Sequence, residues 1–233
     1  MWSDDLRGIW AIMLKDLRAY YLKPPNISWG ILFPFAFVLA FAIRDPGRLD
    51  SMVPGLLALT LLFGTSSMEA IVITFERRIG ALERLLLAPV RLPALLAGKL
   101  LGGMVFGLVT ALGAGGVKWL LLALAMLLSA SAFSALGIVV SVSVKEVFEA
   151  QTLANAFRFP MMFLGGVFVP VVSLPVGLQI IARALPLTYS VEALHIAIAG
   201  GALSRGILDL AVLAAFTLLF FGLASWTLAR RVA

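Results

Sequence analysis

Apolar runs of nearly membrane-crossing length alternate with short polar turns along this chain. A helix needs about 20 mostly apolar residues to cross a hydrocarbon core about 30 Å thick. On that measure the pattern predicts six spans, at roughly 27–43, 52–74, 94–113, 118–143, 151–172 and 206–228. Polar turns separate them: Arg44, Asp45, Pro46, Gly47, Arg48 and Asp50 after the first, Gly113 to Gly116 after the third, and Lys145, Glu146 and Glu149 after the fourth. Ahead of the spans, residues 3–22 alternate with helical period. Leu6, Ile9, Trp10, Met13, Leu14, Leu17 and Tyr21 share one face, and Asp4, Asp5, Arg7, Lys15, Asp16 and Arg18 lie away from its centre. A two-faced helix with Trp and Tyr on it suits the headgroup boundary and is expected to lie in the membrane plane. Pro24-Pro25 ends it. Residues 173–203 are semi-apolar and broken by Pro175, Pro186 and Gly200-Gly201. Their pieces are too short to span, so they predict a re-entrant hairpin. The expected fold is an all-α membrane protein, and 1–233 forms one domain because no polar block is long enough for a second.

Composition agrees. Hydrophobic residues make up 62% of the chain and charged residues 13%, against about 45–50% and about 25% in soluble domains. The net charge of +6 would suggest nucleic acid in a soluble protein. In a membrane protein it reflects basic loops held on the cytoplasmic side and near anionic headgroups, so no nucleic-acid partner is expected and membrane lipids are. The chain has no cysteine and one histidine, which removes thiolate chemistry and a histidine-rich metal site. His195 by itself is expected to be an interfacial histidine, because a metal needs several ligands. The N-terminus does not read as a cleavable signal, since Asp4 and Asp5 stand where positive charge is required.

Orientation follows from Lys and Arg. With the N-terminus inside, twelve of the 18 fall on the inner side and five (Arg44, Arg48, Lys118, Arg183 and Arg205) on the outer, with Arg158 inside span five. Cytoplasmic loops carry that excess, so both termini are expected in the cytoplasm and the protein in the cell's inner (cytoplasmic) membrane. Catalytic signatures are missing from this map. Gly98-Lys99 resembles the end of a phosphate loop, but that pattern needs Gly at 93 and Ser or Thr at 100, where Pro93 and Leu100 stand. The chain is therefore not expected to bind ATP or to be an enzyme on its own.

The most informative stretch lies between spans two and three. Phe75, Ile79, Leu82 and Leu86 follow helical spacing, and Glu76 with Glu83 and Arg77 with Arg84 are seven apart, on a common charged side. Pro89 stops the run. The spacing predicts a short two-faced cytoplasmic helix over 75–88. One face would rest on the bundle; the other would enter a partner's groove or lie on headgroups. Gly80 is expected to allow close backbone approach.

Phe75-Glu76-Arg77-Arg78, Gly80, Leu82-Glu83-Arg84-Leu85-Leu86-Leu87 and Pro89, followed by Gly98-Lys99, resemble the coupling-helix segment of ABC type-2 exporter permeases. Gly165-Gly166, Phe168, Pro170, Leu174-Pro175, Leu185-Pro186-Leu187-Thr188-Tyr189 and Glu192 resemble the same family's hairpin between spans five and six. The two motifs stand in the family's order, and the resemblance covers essentially the whole chain. It is nearest to the small daunorubicin-type drug-resistance permeases. The resemblance implies a half-transporter that pairs with a second permease chain, as a homo- or heterodimer, and with two copies of an ABC ATPase subunit that hold ATP and Mg. It implies an amphipathic, drug-like or lipid-linked cargo moved outward, and a helix at 75–88 that couples ATPase closure to transport. A polysaccharide or lipid exporter of the same family is the nearest alternative. The short turn between spans three and four, and His195 where an arginine is common, depart from the family pattern.

Glu69 lies inside predicted span two and Arg158 well inside predicted span five. A charge at the bilayer centre costs at least about 2.5–3.5 kcal/mol, so the two are expected to face each other or share a water-filled vestibule; snorkelling to the interface is the alternative. Gly98, Gly102, Gly103 and Gly107 offer small-residue contacts on span three. An ion-coupled carrier or channel is a rival reading, but no repeat relates the halves of the chain. A membrane scaffold is another; neither rival requires a cytoplasmic docking helix.

Overall fold

In the computed structural model, the described residues are 2–21, 49–87, 91–110 and 119–232, with single positions at 36, 39, 40 and 43. Apart from those four positions the expected first span lies outside them, as do the turn at 113–116, Pro24-Pro25 and Pro89. The described residues contain helices and no strand. Helix α1 covers Trp2–Asp16 and widens into a π-helical turn at Leu17–Tyr21; α2 covers Leu49–Arg78, α3 Ala81–Leu86, α4 Leu92–Thr110, α5 Trp119–Ser143 and α6 Val147–Leu164. A 3-10 turn at Val171–Ser173 leads to α7 (Val176–Arg183), α8 (Pro186–Ile198) and α9 (Leu203–Val232). Met52–Arg78, Leu120–Ser143 and Leu203–Arg230 are long and apolar enough to cross a membrane, and Leu92–Val105 is a shorter apolar helix. Expected span five ends early: α6 stops at Leu164 because Gly165 and Gly166, the latter at φ +83°, turn the chain.

Helix α5 is the hub, packed against α2, α9, α8 and α4. Its sequence explains why. Ala125, Ser129, Ala130, Ala132, Ser134, Ala135, Gly137 and Ser141 are all small, and all but Gly137 appear among the buried side chains. Lipid tails are as apolar as leucine, so membrane helices associate through close packing more than through the hydrophobic effect, and small residues permit it. A Cβ at Gly137 would lie 2.7 Å from the Ser66 carbonyl oxygen, which measures how near α2 comes. Hydroxyls in this apolar setting bond their own helix: Thr60 donates to the Leu56 carbonyl at 2.9 Å, and Thr65 to Leu61 at 2.8 Å. Ser190 on α8 donates to Ser129 on α5 at 2.7 Å.

Two apolar clusters mark the two ends. One joins Leu59, Leu62, Phe133, Met161, Leu187 and Leu194 at the end where α7 and α8 sit. The other joins Ile12, Ile73, Leu82, Leu95, Val142 and Leu228 at the end that carries α1, α3 and the last turn of α9. The outer faces of α6 and α9 stay apolar and exposed, with Phe148, Phe163, Leu218, Leu219 and Trp226 among them, as suits a hydrocarbon surroundings.

The prolines of the 165–192 motif start helices. Pro170 precedes the 3-10 turn, Pro175 precedes α7, and Pro186 is the first residue of α8, where a missing N–H costs nothing. The Tyr189 hydroxyl donates to the Arg183 carbonyl at 2.7 Å, and Gln179 donates to the Leu174 carbonyl at 2.8 Å. Phe168 lies 6.1 Å from Phe163, ring to ring, and Glu192 is exposed. α8 is buried between α2, α5 and α9, whereas α7 exposes Val176 and Ile180.

Candidate functional site

The charged end of the bundle holds most of the chemistry. Lys99, on α4, is fully buried. Its ammonium donates to Asp16 Oδ2 at 3.1 Å and to the Glu76 carboxylate. Lys15 reaches the other oxygen of each acid, at 2.8 Å for Asp16, and bonds Glu76 as well. Two carboxylates and two ammonium groups thus form a neutral square that ties α1, α2 and α4 together. Buried charges persist when each is paired, and here every charge has an opposite one beside it, although Asp16 Oδ1 has an ion-pair contact and no hydrogen bond. Tyr20 covers one side, its ring 5.7 Å from Lys15 Nζ and edge-on to Phe75 at 6.0 Å.

A second tie holds the start of α1. Arg91 Nε donates to Asp5 Oδ2 at 2.6 Å, and the Arg91 backbone N–H to Oδ1 at 3.3 Å. These bonds hold the Asp5 carboxyl below the usual carboxylate range. Between the two ties Gly98 lets α1 lie close on α4: a Cβ there would come within 2.9 Å of the Ile9 carbonyl. The expected apolar face of α1 is therefore divided between the bundle and the outside. Ile12, Met13, Asp5 and Asp16 are buried, while Leu6 and Trp10 stand exposed.

The 75–88 segment is not one helix. α2 runs on to Arg78, Gly80 takes φ +68° and ψ +13°, and α3 begins at Ala81. A left-handed residue ends an α-helix and redirects the chain, so the seven-residue spacing does not put Glu76 beside Glu83. Glu76 belongs to the buried square and is not open to a partner. Arg77 donates to the Val144 carbonyl at 2.7 Å, and Arg78 approaches Glu146 at 4.0 Å. Ile79, expected on the packed side, is exposed; Leu82 is buried in the charged-end cluster, as expected. Glu83 and Arg84 are exposed, and the Leu86 side chain lies outside the described residues. Gly80 serves conformation and not close approach, since a Cβ there would meet nothing nearer than the Glu83 carboxylate at 3.8 Å.

Glu69 and Arg158 do not face each other. Glu69 accepts the Gly103 backbone N–H at 3.1 Å, wedged between α2, α4 and α5. Arg158 also reaches α2, donating through Nε to Ser66 at 3.0 Å, and through Nη1 to Asn155 on its own helix at 3.0 Å. Ser66 and Glu69 stand about one turn apart on the same face of α2, and Gly137 on α5 comes close to both, but each charge takes its own hydrogen-bond partners. The sequence reading missed Lys99, Asp16 and the buried Asp209 on α9. Lys99 and Asp209 lie inside predicted spans, so the argument that singled out Arg158 would have found both. Asp16 left no such signal, because it looked like the polar side of a surface helix. Among the described residues no three His, Cys, Asp or Glu side chains group as a metal site.

Comparison with known proteins fits a membrane bundle of this kind. The chain is 26% identical, over 97% of its length and 94% of theirs, to proteins named inner membrane transport permease YadH in Escherichia coli K12 and Shigella flexneri. A family model described as ABC-2 type transporter matches residues 7–199, from the first turns of α1 to the end of α8. A run that takes in the charged square, the short α3 and the proline-started hairpin, on a scaffold of long apolar helices, leaves one conclusion: this chain belongs to the ABC-2 type transporter family, as a membrane component of a transporter.

Proposed function

We propose that this chain is the permease subunit of an ATP-driven exporter and that α3 is where its ATPase docks. One observation carries the reading. α3 is a short helix anchored by the buried Leu82, yet it holds Glu83 and Arg84 outward, with Leu87 almost fully exposed beside them. An anchored helix with an outward polar face is what a partner's groove requires. Its root is stiff, because α2 ends in the Glu76–Lys99 square just before Gly80. A push on α3 would therefore act on α1, α2 and α4 together.

The positive-inside rule supports placing this end in the cytoplasm, with both termini there and six spans in an inner membrane. Two ATPase subunits holding ATP and Mg, a second permease chain, and a hairpin of α7 and α8 dipping from the outer side complete the proposed assembly. The apolar bundle favours an amphipathic, drug-like or lipid-linked cargo. Replacing both Glu83 and Arg84 with alanine tests the docking role. The variant should fold in the membrane yet lose about 2 kcal/mol of ATPase affinity, the scale of an interface hot spot, or hydrolyse ATP without transport. Normal assembly together with normal transport in that variant would refute the docking role.

A further inference from the structure

Arg158 is the most deeply buried cation with no carboxylate partner among the described residues. It is 1% exposed. Its two described hydrogen bonds go to neutral oxygens, on Ser66 and Asn155, and Nη2 is buried with no acceptor among the described residues. Phe63 lies against the guanidinium, 5.6 Å from ring centre to Cζ. A small crevice lined by Ser66, Gly137, Val140, Ala154 and Phe157 adjoins it. The contrast with Lys99 is informative, since a cation buried for structure alone sits in a closed set of carboxylates.

The rest of the surroundings points to what Arg158 lacks. A guanidinium presents five N–H donors in a planar fork that matches the two oxygens of a carboxylate or phosphate. Arg158 spends one donor on each neutral partner and keeps Nη2 over. Beside Arg158 the seam between α6 and its neighbours is built from Ala154, Gly137 and Ser66, all small side chains. Phe157 and Phe159, both half-exposed, flank Arg158 on α6. Parting this seam would uncover a cationic fork bordered by aromatic rings.

We propose that Arg158 is a specificity-determining residue that takes the acidic headgroup of an amphipathic cargo when α6 moves away from α2 and α5. The apolar part of the cargo lies along Phe157 and Phe63. Ser66 and Asn155 hold the side chain in place between transport cycles. The proposal rests on reading the chain as a transport subunit, and it narrows the cargo to anionic amphiphiles.

The test uses the full-length permease in phosphatidylcholine nanodiscs, without an ATPase, so its outcome is separate from that of the α3 docking experiment. Binding of oleoyl lysophosphatidic acid is compared with that of oleoyl lysophosphatidylcholine and of inorganic phosphate. The acidic lipid should bind at least tenfold tighter than the zwitterionic one, and inorganic phosphate should not compete at equal concentration. Arg158→Gln should abolish the preference, and Arg158→Lys should keep part of it by retaining the charge without the fork. Equal binding of the two lipids by the unaltered protein would overturn the proposal, as would equal competition by inorganic phosphate. An unchanged preference in Arg158→Gln would do the same. Should that variant not fold, Phe157→Ala gives a second reading: weaker binding of both lipids with the preference retained supports the proposal, and unchanged binding counts against it.

Discussion

Lys99 shows how much one side chain can decide in a bundle of this composition. It touches Asp16 and Glu76, and Lys15 closes the ring. Removing its ammonium leaves two buried carboxylates facing a single, partly exposed lysine. Losing one partner from a buried ion pair costs about 3–5 kcal/mol, so Lys99→Met should lower the thermal unfolding midpoint sharply. Combining it with Glu76→Gln should recover part of the loss. A double-mutant cycle on that midpoint checks this, and simple additivity would count against the contact. The glycines give a second prediction at this scale. A Cβ at Gly55 would lie 2.9 Å from the Val167 carbonyl oxygen and 3.0 Å from its Cα. Both atoms are backbone and cannot turn aside, so Gly55→Ala should cost about 1–3 kcal/mol. Gly177, in α7, has nothing within 4 Å, and Gly177→Ala should be neutral or stabilising by up to about 1 kcal/mol. Thermal melts of the two variants side by side decide it.

Among elements, α1 is the one whose attachment depends on ionisation. Its start is held by Asp5 on Arg91 and its end by Asp16 on Lys99 and Lys15 on Glu76. Arg91 holds the Asp5 carboxyl below its ordinary value. A carboxyl depressed in the folded state contributes stability that is complete above its unfolded value, about 3.9, and lost as pH falls through the lower folded value. The start of α1 should thus stay docked at neutral pH and loosen only in strong acid. Trp10, exposed on α1, reports this by its fluorescence. Asp5→Asn should show the loosened signal at neutral pH and little further change on acidification. The break at Gly80 belongs to this scale too. An alanine there must enter a left-handed conformation at a cost of about 1–2 kcal/mol. Gly80→Ala should therefore disturb the direction of α3 and weaken whatever it docks, more than it disturbs the bundle. Comparing the melting midpoint with partner affinity separates the two effects.

For the whole molecule, the arrangement of charge makes a topological claim. Arg77, Arg78, Arg91 and Lys99 gather with α1 and α3 at one end, and the α7–α8 hairpin lies at the other. The absence of native cysteine makes single-cysteine labelling direct. A cysteine at Ala184, between α7 and α8, and one at Gly47 should react with an impermeant reagent from outside the cell. One at Arg84 should react from the cytoplasm. Labelling of 47 and 184 from the cytoplasmic side alone would reverse the proposed topology.

Sequence by itself determined the solvent and the skeleton of this protein. Apolar runs of bilayer length can only be buried helices, and the prolines at 170, 175 and 186 and the glycines at 165, 166 and 200 punctuate them, because backbone geometry at Pro and Gly is a local matter. The helices α2, α5 and α9 and the breaks between α6, α7 and α8 were legible for that reason, and so was the buried Leu82. Only the tertiary structure decided which charges meet. Glu76 looked like a surface acid of a continuous helix until Gly80 turned the chain. Asp16 looked like the wet side of an interfacial helix until Gly98 let α1 settle on α4. Glu69 and Arg158 looked like partners until one took the Gly103 N–H and the other Ser66 and Asn155. Periodicity records which face of a helix is apolar, but which charge stands opposite depends on where another helix crosses, and that is settled by the packing of small residues far away in the chain.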